Sequence, residues 1–219
     1  MLIKKRAHKL FLLLSSGLVL FGVILGLIGL GQIHLLPGIA GSRQIHFRAL
    51  LTFTYQSNLL LVFGFLLMLI LRGKAARYYI SISVILATTF TGLIYNFLLV
   101  PVAQAPMFFT SYVNFSTHVL AMALALVNYF AFERKGCFNY RHVLAGMIFP
   151  GLYWVVFVNI GDRINFFPYF FMNPNDVGWL MVFVWFGALL LAFVGLGFLL
   201  MLYDRRSVRK GQHSYGIDT

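Results

Sequence analysis

Charged residues are scarce in this chain. Lys, Arg, Asp and Glu make up 10% of its 219 residues, whereas hydrophobic residues make up 61%. A soluble globular domain carries about 25% charged and about 45–50% apolar residues, because polar side chains must cover its surface. The composition therefore excludes a soluble globular protein.

Acidic residues and cysteine are rarer still. The five acids are expected in loops and tails: Glu133, Asp162, Asp176, Asp204 and Asp218. A proton-coupled pump is disfavoured, because no carboxylate is expected inside a membrane segment. The single cysteine, Cys137, excludes a disulfide framework and a cysteine-based zinc or iron–sulfur site. The six histidines are scattered, so the sequence predicts neither a metal nor another cofactor.

Six apolar stretches are long enough to cross a membrane. A helix needs about 20 mostly apolar residues to span the ~30 Å hydrocarbon layer. Backbone exposed to lipid must satisfy its own hydrogen bonds, which favours helices over open strands. The predicted helices cover residues 10–30, 47–71, 78–100, 111–132, 142–160 and 177–203. The sequence predicts an all-α polytopic membrane protein, with one six-helix domain over residues 1–219.

Basic residues predict how these helices are oriented. Fourteen of the 17 Lys and Arg residues lie in alternate loops and near the two ends. They are Lys4, Lys5, Arg6, Lys9, Arg72, Lys74, Arg77, Arg134, Lys135, Arg141, Arg205, Arg206, Arg209 and Lys210. Short cytoplasmic loops are enriched in Lys and Arg, so both termini are predicted to be cytoplasmic. Because the basic residues do not share one face, we expect membrane lipids as partners and no nucleic acid.

Polar side chains gather near the predicted outer ends of the helices. They include Thr52, Thr54, Tyr55, Gln56, Ser57 and Asn58 on the second helix, Thr91, Tyr95 and Asn96 on the third, and Asn114, Ser116, Thr117 and His118 on the fourth. Such residues often serve structure alone, because Ser and Thr bond to the preceding turn and Asn links helices. His118 stands apart, since a neutral imidazole in a membrane segment can accept a proton.

Helical spacing divides the polar residues of the second helix into two faces. Residues three or four apart share a face, so Thr54, Ser57 and Asn58 lie together. Thr52 lies on the other face, and only one of the two threonines can readily point at His118.

With these residues in view, the chain resembles a bacterial family of six-pass integral membrane proteins. The matching strings are F-T-Y-Q-S-N-L at 53–59, G-L-I-Y-N at 92–96, His118, and Pro168-Tyr169. The similarity extends from about Arg48 to Arg205 and implies a multi-pass protein of the bacterial cytoplasmic membrane. This family looks distantly related to the androgen-induced and androgen-dependent membrane proteins of animals, which are threonine hydrolases of fatty acid esters of hydroxy fatty acids.

The resemblance implies a catalytic threonine near the start of the second helix and a catalytic histidine on a later helix. His118 matches the histidine. The bacterial pattern points to Thr54, whereas the string Leu51-Thr52-Phe53 resembles the animal motif and points to Thr52. The chain departs from its bacterial relatives at Asn128, where they tend to have an acid, and at residues 167–171, which read F-P-Y-F-F instead of Y-P-Y-P-F.

The sequence and the resemblance together lead to a specific expectation. They predict a lipid-ester hydrolase with an outward-facing intramembrane site, in which His118 accepts the proton of Thr54 or Thr52. The candidate oxyanion donors and polar cavity residues are Asn58, Ser57, Tyr95, Asn96 and Asn114. The alternative is a non-enzymatic binding or transport protein for a small neutral or lipidic solute. A short threonine–histidine distance would favour catalysis, whereas a continuous polar path across the membrane would favour transport.

Overall fold

The computed structural model describes residues 2–28, 48–71, 73–103 and 112–214. Six long helices are present: α1 (Leu2–Leu27), α2 (Phe53–Ile70), α3 (Lys74–Ile94), α4 (Tyr112–Phe132), α5 (Tyr140–Ile164) and α6 (Pro174–Ser214). All six are long and apolar enough to cross a membrane. The prediction of an all-α chain with six such helices is therefore confirmed for the described residues, and it fits an integral membrane protein.

Helix α3 lies at the centre of the bundle. It contacts α2, α4, α5 and α6, while α1 lies against α2 and α4. Buried side chains of α2 and α3, including Leu61, Phe65, Ile82 and Leu86, form the interior. Large apolar side chains also cover the outside, as at Phe97, which is 78% exposed. An apolar exterior of this kind suits hydrocarbon rather than water.

Successive helices run in opposite directions, which gives the bundle two distinct ends. The Thr54 end contains the starts of α2, α4 and α6, the ends of α1, α3 and α5, and residues 165–173. The Cys137 end contains the start of α1, the α2–α3 connection, residues 133–139 and the last part of α6. Fourteen basic residues were predicted to share one side of the membrane, and those that the structure describes belong to the Cys137 end.

Helix α2 begins at Phe53, after a separate helical turn at residues 48–50, within the predicted stretch 47–71. Thr52 has extended backbone (ψ 147°) and is the N-cap of α2. Its hydroxyl oxygen accepts a hydrogen bond from the Tyr55 N–H at 3.4 Å and donates one to the Ala49 carbonyl at 2.8 Å. A side chain that satisfies the first turn in this way fixes where a helix starts. The predicted boundaries at residues 30, 47 and 111 fall outside the described residues.

Three π-helical turns interrupt the regular helices. One follows α3 at Tyr95–Leu99, and two lie within α4 at Ser116–Leu120 and Asn128–Phe132. A π turn holds more than four residues, so it rotates the side chains beyond it relative to a regular α-helix. Two of these turns carry residues of the predicted site.

Two acids are more buried than the sequence indicated. Asp204 lies within α6 and is fully buried, so its prediction in a loop or tail is wrong. The Tyr129 hydroxyl and the Phe138 N–H donate to its two carboxylate oxygens at 2.7 and 2.8 Å. Glu133, just after α4, accepts hydrogen bonds from the Ser81 hydroxyl at 2.6 Å and from the Asn128 side chain at 2.5 Å. These carboxylates hold the Cys137 end together.

Candidate functional site

Thr54 and His118 meet inside the Thr54 end of the bundle. Thr54 is the second residue of α2, and His118 lies in the first π turn of α4. The Thr54 Oγ1 and His118 Nε2 atoms are 3.5 Å apart. His118 is 2% exposed and Thr54 is 9% exposed, so both groups are sheltered from solvent and lipid. The structure thus brings His118 together with Thr54, one of the two candidate threonines.

The contact made by His118 Nδ1 determines which of the two ring nitrogens carries the hydrogen. His118 Nδ1 lies 3.1 Å from the main-chain carbonyl oxygen of Asn114. A carbonyl oxygen can only accept, so Nδ1 carries the hydrogen and Nε2 presents its lone pair. The Thr54 hydroxyl can therefore donate to Nε2. This is the arrangement that a general base needs beside a hydroxyl nucleophile.

Side chains of α2, α3 and α4 hold this pair in place. The Asn58 amide donates to the Thr54 carbonyl at 2.7 Å and to the Thr117 carbonyl at 3.0 Å, which ties α2 to α4. The Ser57 hydroxyl lies 2.8 Å from the Thr91 hydroxyl, which ties α2 to α3. Ser57, Asn58 and Thr91 are all buried. Their role in the structure is to position the main chain around the pair.

Tyr95 and Gly92 bring α3 close to the histidine. The Tyr95 ring stacks on the His118 ring, with centroids 3.5 Å apart and planes 20° from parallel. A Cβ atom at Gly92 would lie 2.5 Å from the His118 carbonyl oxygen, so only glycine permits this approach. Both contacts restrict how the imidazole can tilt.

The remaining candidates take part in other contacts. The hydroxyl of Thr52 caps α2 and has Ala49 and Tyr55 as its partners. Asn96 donates to the Gly92 carbonyl within its own helix at 2.8 Å. Asn114 is buried and contributes its main-chain carbonyl to His118. Of the two threonines left open by the sequence, the geometry favours Thr54.

Tyr169 is a residue of the site that sequence reasoning did not single out. It lies between α5 and α6, and its hydroxyl oxygen is 3.3 Å from the Thr54 N–H nitrogen and 3.5 Å from Thr54 Oγ1. Burial raises the pKa of Tyr169, so the hydroxyl keeps its proton at neutral pH. Its only sequence signal was its place in the Pro168-Tyr169 string, which carried no role.

A largely apolar cavity opens beside Thr54. It lies among α2, α3, α5, α6 and residues 165–173, and its empty space, counted with its mouth, is about 660 Å³. Phe, Leu, Met and Trp side chains form most of the wall, and Thr54, Thr91, Tyr153 and Tyr169 supply the hydroxyl groups. None of the described residues that line it carries a charge. A cavity of this character suits an uncharged, apolar ligand.

The wall contains one further polar group. The Trp154 indole N–H is buried and has no hydrogen-bond partner among the described residues. A buried donor without a partner costs about 1–3 kcal/mol, and a bound ligand with an acceptor oxygen would remove that cost.

Neither a group of metal-binding side chains among the described residues nor a match to a known protein was found. In the part of the chain that the structure describes, no three His, Cys, Asp or Glu side chains lie close enough to hold a metal ion. No protein-family model, curated protein or solved structure matches the chain. The geometry of Thr54 and His118 is therefore the structural basis for any role of this pair.

Proposed function

We propose that this protein is an intramembrane ester hydrolase, with Thr54 as nucleophile and His118 as general base. The observation that carries this proposal is the Thr54 Oγ1–His118 Nε2 contact of 3.5 Å, because Thr54 also lines an apolar cavity. Catalytic hydrogen bonds are often long without substrate and shorten when it binds. The chain's resemblance to the six-pass family and to the animal threonine hydrolases supports the same chemistry.

The first half of the reaction transfers the acyl group to the protein. Thr54 Oγ1 bonds to the carbonyl carbon of the ester while its proton moves to His118 Nε2. The tetrahedral intermediate then collapses, the bond to the leaving oxygen breaks, and that oxygen takes the proton from His118. The Nδ1–H bond to the Asn114 carbonyl keeps the imidazole in the required tautomer throughout.

The second half releases the acid. A water molecule gives a proton to His118 Nε2 as its oxygen attacks the carbonyl carbon of the acyl-Thr54 ester. Collapse of this intermediate breaks the bond to Thr54 Oγ1, which recovers its proton from His118. The products are a carboxylic acid and an alcohol, and no other reactant is needed.

The substrate class follows from the wall of the cavity. Of the eighteen described residues that line it, twelve are Phe, Leu, Ile, Met or Trp, and none is charged. Burying an apolar chain there is worth about 0.8 kcal/mol per CH₂ group, whereas a buried unpaired charge is strongly disfavoured. Neutral esters of fatty acids fit this wall, and they reach it from the surrounding membrane lipids.

The distribution of basic residues supports a specific orientation. The basic Cys137 end and both termini face the cytoplasm, and the Thr54 end faces the outer side of a bacterial cytoplasmic membrane. Substrates would then enter from the outer leaflet.

Hydrolysis by the purified protein in lipid nanodiscs tests the proposal. Wild-type protein should hydrolyse fatty acyl esters of p-nitrophenol, and a fluorophosphonate probe should label Thr54. Thr54→Ala should abolish both, and His118→Ala should reduce turnover by about 10²–10⁴-fold. Thr54→Ser should stay active, because serine keeps the hydroxyl.

Thr52→Asn is the matched control for the choice of threonine. Asparagine is as good an N-cap as threonine but has no hydroxyl nucleophile, so this variant should fold and remain active. Loss of activity in Thr52→Asn with full activity in Thr54→Ala would transfer the role to Thr52. Absence of both turnover and labelling in wild-type protein would refute the hydrolase, and tight binding of a fatty acyl ligand would then favour the non-enzymatic alternative.

A further inference from the structure

Tyr169 is held against the nucleophile by the segment that joins α5 to α6. This segment covers residues 165–173 and includes a short 3₁₀ turn at Phe170–Met172. The Tyr169 ring stacks on the Phe171 ring, with centroids 5.2 Å apart and planes 5° from parallel. The hydroxyl is thereby fixed at the edge of the cavity, within 3.5 Å of Thr54 Oγ1.

The direction of each hydrogen bond around Thr54 can be assigned. The Thr54 N–H can only donate, so the Tyr169 oxygen accepts from it. Thr54 Oγ1 donates its hydrogen to the bare Nε2 of His118. The Tyr169 hydrogen is then directed at the Thr54 Oγ1 lone pair, which gives a continuous chain from Tyr169 through Thr54 to His118.

The Tyr169 proton gains a stronger acceptor as soon as Thr54 reacts. When Oγ1 gives its proton to His118 and bonds to a carbonyl carbon, Oγ1 stays uncharged, whereas negative charge develops on the adjacent carbonyl oxygen. That oxygen is attached to the carbon that Oγ1 has just reached, so it lies within a short movement of the Tyr169 hydroxyl. The Thr54 N–H, at the positive end of α2, polarises the hydroxyl, which makes it a stronger donor.

We propose that Tyr169 is a catalytic residue, the hydrogen-bond donor that stabilises the carbonyl oxygen in the tetrahedral intermediate. This inference rests on the proposed hydrolase function and extends it. The proton stays on Tyr169, so the step is stabilisation of charge by a hydrogen bond rather than acid catalysis. The sequence offered Asn58, Tyr95, Asn96 and Asn114 for this role, and the structure adds Tyr169, whose hydroxyl oxygen lies 3.5 Å from Thr54 Oγ1.

Tyr169→Phe tests the assignment, because phenylalanine keeps the ring that stacks on Phe171 and removes only the hydroxyl. The enzyme is the full chain in nanodiscs, assayed with a p-nitrophenyl ester and an alkyl ester of one fatty acid. Removing one oxyanion donor should lower kcat by about 10²–10³-fold, with KM nearly unchanged, on both esters. The two esters should be affected equally, because the carbonyl oxygen is common to them and the leaving oxygen is not.

Tyr55→Phe is the matched control. Tyr55 is adjacent to Thr54 and equally buried, but its hydroxyl points away, towards Gly26 of α1, and has no hydrogen-bond partner among the described residues. This variant should keep wild-type kcat. If Tyr169→Phe fails to fold, a ring-fluorinated tyrosine at position 169 takes its place. Its more acidic hydroxyl should move the alkaline limb of the kcat profile to lower pH, and an unmoved limb would overturn the role.

Each outcome separates this inference from the proposed function. If Tyr169→Phe retains kcat within about threefold or becomes faster, Tyr169 is not the donor and the Thr54–His118 hydrolase stands. A loss confined to the alkyl ester would assign the hydroxyl to the leaving oxygen and overturn the donor role, as would a rise in KM alone. Absence of turnover in the wild-type protein, with Thr54→Ala indistinguishable from it, would refute both.

Discussion

The substitution Gly92→Ala would add a Cβ atom where α3 packs closely against the main chain of His118. The added Cβ would lie 2.5 Å from the main-chain carbonyl oxygen of His118 and 3.1 Å from the Met122 sulfur. Ordinary van der Waals contact begins near 3.4 Å, so α3 and α4 must separate locally by about 0.9 Å. The carbonyl belongs to the helix backbone and cannot turn aside as a flexible side chain could. His118 must therefore move away from its neighbours together with its main chain.

The cost of that separation can be bounded. Overpacking a well-packed interior destabilises a protein by about 1–3 kcal/mol, while alanine favours a helix over glycine by about 1 kcal/mol. Gly92→Ala should therefore be neutral to about 2 kcal/mol less stable than wild type. Gly195→Ala in α6 is the control, because none of the described atoms lies within 4 Å of its added Cβ. Gly195→Ala gains only the higher helix propensity of alanine, so the free energies of unfolding of the two variants should differ by about 1–3 kcal/mol.

The effect on activity should exceed the effect on stability. The Thr54–His118 contact is 3.5 Å, at the long limit of a hydrogen bond, so a shift approaching 1 Å removes it. Misplacement on that scale can cost about 10²-fold in rate. Unfolding is measured by circular dichroism in detergent, and turnover in nanodiscs. If Gly92→Ala is as stable and as active as Gly195→Ala, then α3 does not restrain His118.

Three further predictions concern the Cys137 end. Burial raises the pKa of Glu133, so the folded state holds this proton more firmly than the unfolded state. The free energy of unfolding should then fall as pH rises above the ordinary Glu range. Glu133→Gln should remove this pH dependence. Parallel profiles of Tm against pH for the wild-type protein and Glu133→Gln would contradict the prediction. Asp204→Ala leaves two buried donors, those of Tyr129 and Phe138, without their acceptor and should cost about 2–6 kcal/mol in the same unfolding assay, with a loss below about 1 kcal/mol as the contrary result. Cys137, the single cysteine, should react with an impermeant maleimide in inverted vesicles but remain unlabelled in intact cells if the Cys137 end is cytoplasmic.

The six helices could be predicted from the sequence because the membrane demands a simple pattern. About 20 apolar residues per crossing are needed in any fold, so hydropathy alone finds them. The start of α2 was harder, since residues 47–52 (F-R-A-L-L-T) are still mostly apolar and contain no Gly or Pro. The helix starts where the Thr52 hydroxyl accepts a hydrogen bond from the Tyr55 N–H, which hydropathy does not record.

Part of the site could also be predicted, because it follows a regular spacing in the sequence. Thr54, Ser57 and Asn58 recur at helical spacing, and the structure places all three on the side of α2 that meets α3 and α4. Tyr169 was out of reach, because its position depends on how residues 165–173 fold back over the cavity. Asp204 was misjudged, because the partners that make its burial tolerable lie 75 and 66 residues away along the chain.

The π turns explain why helical spacing alone could not complete the site. One extra residue in a turn rotates the residues beyond it by about 100°, so the facing of His118 relative to the rest of α4 cannot be read from a regular 3.6-residue period. No Gly or Pro marks the turn at Ser116–Leu120 in the sequence. The turn at Tyr95–Leu99 meets it through the stacked rings of Tyr95 and His118, and the turn at Asn128–Phe132 carries the Asn128 contacts to His8 and Glu133. His118 and Asn128 thus both lie in π turns of α4. These departures from the regular turn let their side chains reach partners on neighbouring helices.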